Sequence, residues 1–452
     1  LKIVFQRYLY LNYHLASVMQ YWLRPRITRA GILALAGFLF TLTRADTNLS
    51  VGYQALSFLF WLILASLIAC LFVRTRVRIQ RFMPRIASVG TPLKYRLVVY
   101  NNSRQSYRDL AVLERLVDPR PTLLEFISAR EPGEERRNWF DRKYAYYRWQ
   151  WLISQRQKAE IRETPIPPVP GGGHAETLVE LIPQRRGVLQ FKGVAVACPD
   201  PFGLFRRLAE HSLPQSLLIL PKRYPIPAIP LPGTMRYQPG GVTLAASVGE
   251  SEEFVSLRDY RPGDPLRHIH WRSWAKSGKP IVKEFQDEFF VRHALILDTF
   301  CKEAYSEVFE EAVSVAASFA CAIQTQDSLL DLLFAGPKAY CFTVGRGVAH
   351  IEQLLEILTV VTPCTEKPFE ALQQLVLEHS RAISGCVCVF LQWDEARQKL
   401  VRQLHAMRIP LLVLVIVPDG HAATLDPGPL KDCPELFHVL EKSRVEQGLA
   451  AL

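Results

Sequence analysis

Hydrophobic and polar positions divide the chain into three rhythms. Residues 51–73, VGYQALSFLFWLILASLIACLFV, are 23 consecutive uncharged positions. At about 1.5 Å per residue they exceed the roughly 30 Å of bilayer hydrocarbon, so the run predicts a transmembrane helix. An earlier run at 30–43, AGILALAGFLFTLT, has 14 uncharged residues between Arg29 and Arg44. That is the length of a buried core helix or a re-entrant segment, and it spans only if both arginines snorkel. From about 75 to 225 the pattern becomes short alternating runs. Tyr95 to Tyr100 is stopped by Asn101-Asn102-Ser103, and Gly187 to Phe191 follows the same alternation. Thirteen of the 31 prolines fall within 165–232, which suits turns and edge strands and excludes long helices there. The expectation is a small β-sandwich over 75–235.

The sandwich is interrupted by an insertion at 128–172. Phe140, Tyr144, Tyr147 and Trp151 recur at helical spacing, with Arg136, Arg137, Arg142, Lys143 and Arg148 around them, so the spacing predicts one aromatic helical face. That face either packs on the sandwich or docks on a membrane surface or a partner. After about 290, apolar strands alternate with helices, as in a sheet covered on both faces. Strands are predicted at 293–298, 329–334, 339–344, 387–392 and 410–417, and helices at 303–325, 348–360, 368–382 and 394–407. This is a doubly wound α/β domain over 286–420, with 421–452 left as a tail. Ligands in such sheets sit beyond the carboxyl ends of the strands, where Asp298 and Asp394 fall.

Charge changes the picture in one respect. The chain carries a net +11, yet residues 1–85 hold eleven basic side chains and one acidic, Asp46, which leaves 43 basic against 42 acidic elsewhere. A nucleic-acid reader carries its positive charge on the folded face that meets phosphate. Here the charge flanks the two apolar runs, so no nucleic-acid partner is expected. Arg24, Arg26 and Arg29 precede the first run, and Arg74, Arg76, Arg78, Arg81 and Arg85 follow the second. Both clusters favour the cytoplasmic side, which predicts a hairpin over 27–73 in the cytoplasmic membrane, with both termini and the later domains inside. A cleaved signal peptide fits poorly, because the first apolar run starts about 30 residues in. The aromatic and basic segment 1–26 reads as an interfacial helix or a disordered lead-in. Nine cysteines, an odd number, with Cys386 and Cys388 two apart in a predicted strand, suggest neither a disulfide framework nor a zinc site.

Between the two soluble domains, within 245–285, lies GESEEFVSLRDYRPGDPLRHIHWRSWAKSGKPIVKEF. Arg261-Pro262-Gly263-Asp264 is a turn by its chemistry. Charges of alternating sign stand among Phe254, Leu257, Tyr260, Ile269, Trp271 and Trp274, and half-buried charges are tolerable only when paired and hydrogen-bonded. Three readings stay open: a salt-bridged clasp between the domains through Arg258, Asp264 and Arg267, a partner-docking surface, and a catalytic site. The block resembles the domain of unknown function 58 family through Gly249, Phe254, Leu257, Arg258, Tyr260, Gly263, Asp264, Arg267, Ile269, Trp271, Ala275 and Lys276. Arg186-Gly187 and Asp200-Pro201-Phe202-Gly203-Leu204-Phe205 are similar to the family's upstream stretches. The resemblance implies a membrane-anchored protein with a von Willebrand factor A-like domain. It also implies encoding beside an AAA+ ATPase of the MoxR type and a transglutaminase-like membrane protein.

A von Willebrand A domain that binds Mg²⁺ presents Asp-x-Ser-x-Ser, a distant Thr and a further Asp, because a hard cation wants oxygen ligands. Here the loop reads Asp298-Thr299-Phe300-Cys301-Lys302, so both serine positions are lost, while Thr365 and Asp394 stand where the remaining ligands would be. Lys302 is placed to substitute for the cation beside Asp298. His268 and His270 share one face of an extended segment but lack a third zinc ligand. No GxSxG and no phosphate-binding loop is present. No cofactor is therefore expected, and ATP chemistry falls to a partner. The expected function is a membrane-tethered adaptor or scaffold, with an envelope-associated enzyme using the carboxyl edge of the sheet as the alternative.

Overall fold

The computed structural model describes residues 2–44, 50–227, 254–262, 264, 266, 269–285, 291–301, 305–322, 328–336, 338–344, 348–422 and 425–452. It divides into two compact units, Leu1–Leu220 and Pro221–Leu452. Gly249, Gly263, Arg267, His268 and Lys302, all singled out above, lie outside the described residues.

In the first unit, helix α1 (Lys2–Leu23) is followed by α2 (Arg29–Arg44) and α3 (Ser50–Phe72). Val51–Phe72 is long and apolar enough to cross a membrane, whereas Arg29–Thr43 is apolar but shorter. The strands β1 (Val77–Phe82), β2 (Ile86–Ser88), β3 (Leu93–Asn101) and β4 (Ala111–Leu116) come next. After three short helices, α4 (Leu123–Ser128), α5 (Trp139–Tyr144) and α6 (Tyr146–Arg156), the chain returns through β5 (Ala159–Ile161) and β6 (Thr164–Pro165). It completes the unit with β7 (His174–Pro183), β8 (Gly187–Pro199) and β9 (Arg206–Leu220). One sheet runs β1-β3-β7-β5 and the other β2-β9-β8-β4-β6. Their inward residues form one core, with Ile79, Leu97 and Val99 from the first sheet and Val112, Val194, Val196 and Leu217 from the second.

The aromatic helix predicted across the insertion does not form. Ala145 adopts φ 52°, ending α5 and starting α6 on a new axis, so Phe140 and Tyr144 no longer share a face with Tyr147 and Trp151. Trp149 and Leu152 are buried instead, together with Phe126 and Leu9 of α1. The insertion packs on the amino-terminal helix: Trp149 Nε1 donates to Ser17 Oγ at 3.3 Å and Tyr13 Oη to the Tyr144 carbonyl at 2.9 Å. Thr122 caps α4 through a reciprocal box with Glu125.

In the second unit, β10 (Phe254–Asp259), α7 (Trp271–Ser277) and β11 (Ile281–Phe285) form a small antiparallel hairpin around a helical turn. A six-stranded sheet follows. Its elements are β12 (Val291–Leu297), α8 (Glu307–Ala322), β13 (Ser328–Ala335), β14 (Ala339–Val344), α9 (Val348–Val360) and α10 (Glu370–His379). They continue with β15 (Gly385–Phe390), α11 (Glu395–Ala406), β16 (Leu411–Val417), β17 (Phe437–Glu441) and α12 (Val445–Ala450). The strand order is β14-β13-β12-β15-β16-β17, parallel except for the edge pair β13–β14. Helices α10 and α11 lie over Ile296, Cys386 and Cys388. Helix α8, buried along most of its length, covers the same strands from the other side. Residues 421–452, expected as a tail, supply the sixth strand: β17 pairs in parallel with β16 from Val413–Phe437 to Val417–Glu441. The two short 3₁₀ turns before it carry few apolar positions, which hid the strand from a periodicity argument.

Candidate functional site

In an open α/β sheet the chain reverses its direction of winding between two neighbouring strands, and their carboxyl ends diverge into a crevice. Here those strands are β12 and β15. Asp298 follows β12 directly and is fully buried. Its carboxylate accepts backbone N–H groups from Phe300 at 3.0 Å and Leu391 at 3.2 Å. Asp394 caps α11, accepting from the Arg397 N–H at 3.1 Å.

Between the two carboxylates stands a cation supplied by the chain itself. Arg397, one turn into α11 and buried, donates from Nε to Asp298 at 3.1 Å and from Nη1 to Asp394 at 2.6 Å. Its guanidinium carbon lies 4.3 Å from the centre of the Phe369 ring, and Phe300 meets Phe369 edge-on at 5.6 Å. Burial pushes the Asp298 carboxyl up from its ordinary value, and Arg397 with the two backbone N–H groups pulls against that. Two of the three residues expected to hold a degenerate metal site are thus brought together. Thr365 is not part of the cluster: it follows Cys364, which pairs with Phe300, and its side chain is exposed. Among the described residues no group of three or more His, Cys, Asp or Glu side chains is arranged to hold a metal. Arg397 is not among the residues the sequence singles out, since an arginine in an amphipathic helix reads like any solvated basic residue. A guanidinium that bridges two carboxylates fixes the loop after β12 to the helix after β15 and leaves their oxygens engaged.

The signature block forms its own small constellation. Arg258 on β10 reaches across the turn to Asp264 with a two-pronged pair, Nη1 to Oδ2 at 2.7 Å and Nη2 to Oδ1 at 2.8 Å. Asp264 also accepts the Arg261 N–H at 2.8 Å. These bonds, from Arg258 first and Arg261 second, lower the Asp264 carboxyl to about 2. The sign follows from linkage: a carboxyl whose folded value is depressed stabilises the fold above its unfolded value and loses that contribution as pH falls through the folded one. Asp264 is expected to titrate near pH 2 by carboxyl-detected NMR, and in Arg258→Ala to return toward the ordinary carboxylate range. An Asp264 that titrates normally in the wild type would show that the pair is not formed in solution.

Ile269 is buried against Val282, and Tyr260 is partly covered. Phe254 opens β10. His270 is the N-cap residue before α7, with Nδ1 2.6 Å from Ser273 Oγ. By contrast Leu257, Leu266 and Trp271 are exposed, with 65% of Trp271 accessible. Trp271 stacks on Trp274, ring centres 5.3 Å apart, and Arg272, Lys276 and Lys279, in and just after the same helix, are also exposed.

The comparison with known proteins falls on this unit. Residues 256–425 match the family model described as Protein of unknown function DUF58. The match takes in most of the signature block and the sheet through β16, and stops before β17. The chain is also 27% identical over 185 residues to the Uncharacterized protein YeaD of Bacillus subtilis (strain 168). That alignment spans 40% of this chain and 44% of the relative.

Proposed function

We propose that this protein is a membrane-tethered adaptor. In this reading α2 and α3 anchor it in the cytoplasmic membrane with the soluble units on the cytoplasmic side, and the second unit, a von Willebrand factor A-like domain, is presented to a MoxR-type AAA+ ATPase or its clients. The observation that carries the reading is the exposed hairpin of the DUF58-matching segment. An exposed stacked indole pair in a short segment that also exposes Leu257, Leu266 and several basic side chains has the composition of a protein-docking surface rather than of a sealed core. The strand order with its antiparallel edge supports the von Willebrand A-like assignment. The engagement of Asp298 and Asp394 by Arg397 supports a mode of action that does not bridge a partner carboxylate through a metal. The two arginine clusters support the topology, and a transglutaminase-like membrane protein is a further candidate partner.

The test is affinity capture of the full-length protein from solubilised membranes in the presence of ATP. Wild type should retain a MoxR-type ATPase, and Trp271→Ala should lose it while melting like wild type. Absence of any AAA+ protein from the wild-type capture would defeat the adaptor reading, and equal retention by Trp271→Ala would remove the hairpin as its docking surface.

A further inference from the structure

We propose that the turn Asp200–Phe205 is seated within the membrane interface, with Phe202 against lipid, so that the first unit is embedded in the bilayer surface instead of standing above it. The inference rests on the membrane-tether reading of α2 and α3. Its starting point is how the turn grips both helices. Asp200, buried, accepts from Ser66 Oγ of α3 at 2.5 Å and from the N–H groups of Phe202 at 3.1 Å and Phe205 at 2.8 Å. Thr28, just before α2, donates its N–H to the Leu204 carbonyl at 3.1 Å and its hydroxyl to the Gly203 carbonyl at 2.6 Å. A Cβ on Gly31 would come within 2.2 Å of the Leu204 oxygen, so only glycine admits the turn this close to α2.

These contacts fix how far each helix reaches from the turn. Phe38 and Phe60 are ring neighbours at 6.3 Å, and Gly37 faces Leu59. The helices are therefore antiparallel, with Gly31 level with Ser66. From that level α2 continues to Arg44 and α3 runs back to Val51, about 20 Å in each case at the helical rise. The hydrocarbon core is about 30 Å thick, so a turn held above the lipid leaves the hairpin about 10 Å short. It also leaves Leu67, Ile68, Leu71 and Phe72, all exposed on the last turns of α3, in water. Sinking the turn by the length of those last turns, about 9 Å, removes both difficulties at once.

The surrounding chemistry fits that depth. Phe202 is half exposed at the tip of the turn. The Asp200 carboxylate is tolerable near hydrocarbon because its three donors come from the protein. Arg74 and Arg76 follow the last turns of α3 in sequence, where the lipid phosphates would then lie, and Arg207 donates to the Leu71 carbonyl at 2.6 Å. The occupant against the exposed Phe202, Leu71 and Phe72 is thus the headgroup and upper acyl region of the bilayer.

Photo-crosslinking of the full-length chain in vesicles of phosphatidylcholine with a minority of phosphatidylglycerol tests this directly. The photo-reactive residue p-benzoylphenylalanine is placed singly at Phe202, at the exposed Phe58 within α3, and at the exposed Leu178 on β7, in the sheet that does not carry the turn. Peptides bearing a lipid mass adduct are expected from positions 58 and 202 and not from 178. Adducts at 58 with none at 202 would overturn the seating while leaving the tether intact. No adduct at 58 would defeat the tether reading and this inference with it. Adducts at all three positions would show indiscriminate adsorption and equally refute a specific seat.

Discussion

Replacing Arg397 with alanine is expected to destabilise the second unit by about 3–5 kcal/mol, the usual consequence of removing one partner of a buried ion pair. Asp298 is fully buried, and without the guanidinium it retains, among the described residues, the Phe300 and Leu391 N–H groups. Burial already pushes its carboxyl up, so the variant either buries an uncompensated charge or takes up a proton. Arg397→Lys should recover little, because one ammonium cannot reproduce a planar fork that reaches both Asp298 and Asp394. Asp394→Ala should be milder, about 1 kcal/mol, since this carboxylate is 45% accessible and chiefly caps α11. Thermal and urea melts of the full-length protein give the ranking. If Arg397→Ala melts within about 0.5 kcal/mol of wild type, the bridge contributes nothing and the crevice is open in solution.

The same residues show what the sequence made legible. Asp298 and Asp394 are legible because each follows an apolar run that predicts a strand, which puts both beyond the carboxyl ends of the sheet. Arg397 was not found, because a helical arginine looks like any solvated basic residue until the fold turns it toward the sheet. The six-stranded sheet was readable through β16 for the reason that its central strands are apolar on both faces. Strand β17 was missed because an edge strand of five residues, FHVLE, preceded by a proline-rich stretch, lacks that signal. In the insertion, the regular aromatic spacing was real but was cut by a left-handed residue at Ala145, an αL position with no glycine or asparagine to announce it. The sequence expects a network of Arg258, Asp264 and Arg267 because charges of alternating sign stand among apolar residues; the structure pairs Arg258 with Asp264 within the hairpin, and the exposure of Trp271 depends on which hairpin face meets solvent, something spacing alone does not decide.

The largest effect in the first unit is expected at an ion pair no local pattern announced. Arg81 on β1 and Glu114 on β4 have inaccessible side chains and join the two sheets. Nε and Nη2 of Arg81 donate to the two Glu114 oxygens at 3.1 and 2.5 Å, and Tyr95 Oη on β3 donates to Glu114 at 2.7 Å. Arg81 also donates to the Leu213 carbonyl at 3.1 Å and lies 4.5 Å above the Phe191 ring. The carboxylate raises the Tyr95 phenol far above its ordinary value, after burial as the first cause. Glu114→Ala leaves a guanidinium and a phenol without their acceptor between the sheets, and should lower stability by about 3–5 kcal/mol. Arg81→Met alone should be comparably damaging through the stranded carboxylate. The double variant Arg81→Met/Glu114→Leu should recover most of the loss, because a buried pair replaced by apolar groups of similar volume is often neutral. A double-mutant cycle on full-length protein in detergent separates the pair from its surroundings. If the double variant loses as much as the two single variants added together, Arg81 and Glu114 act independently, and the sheets are joined by the apolar core alone.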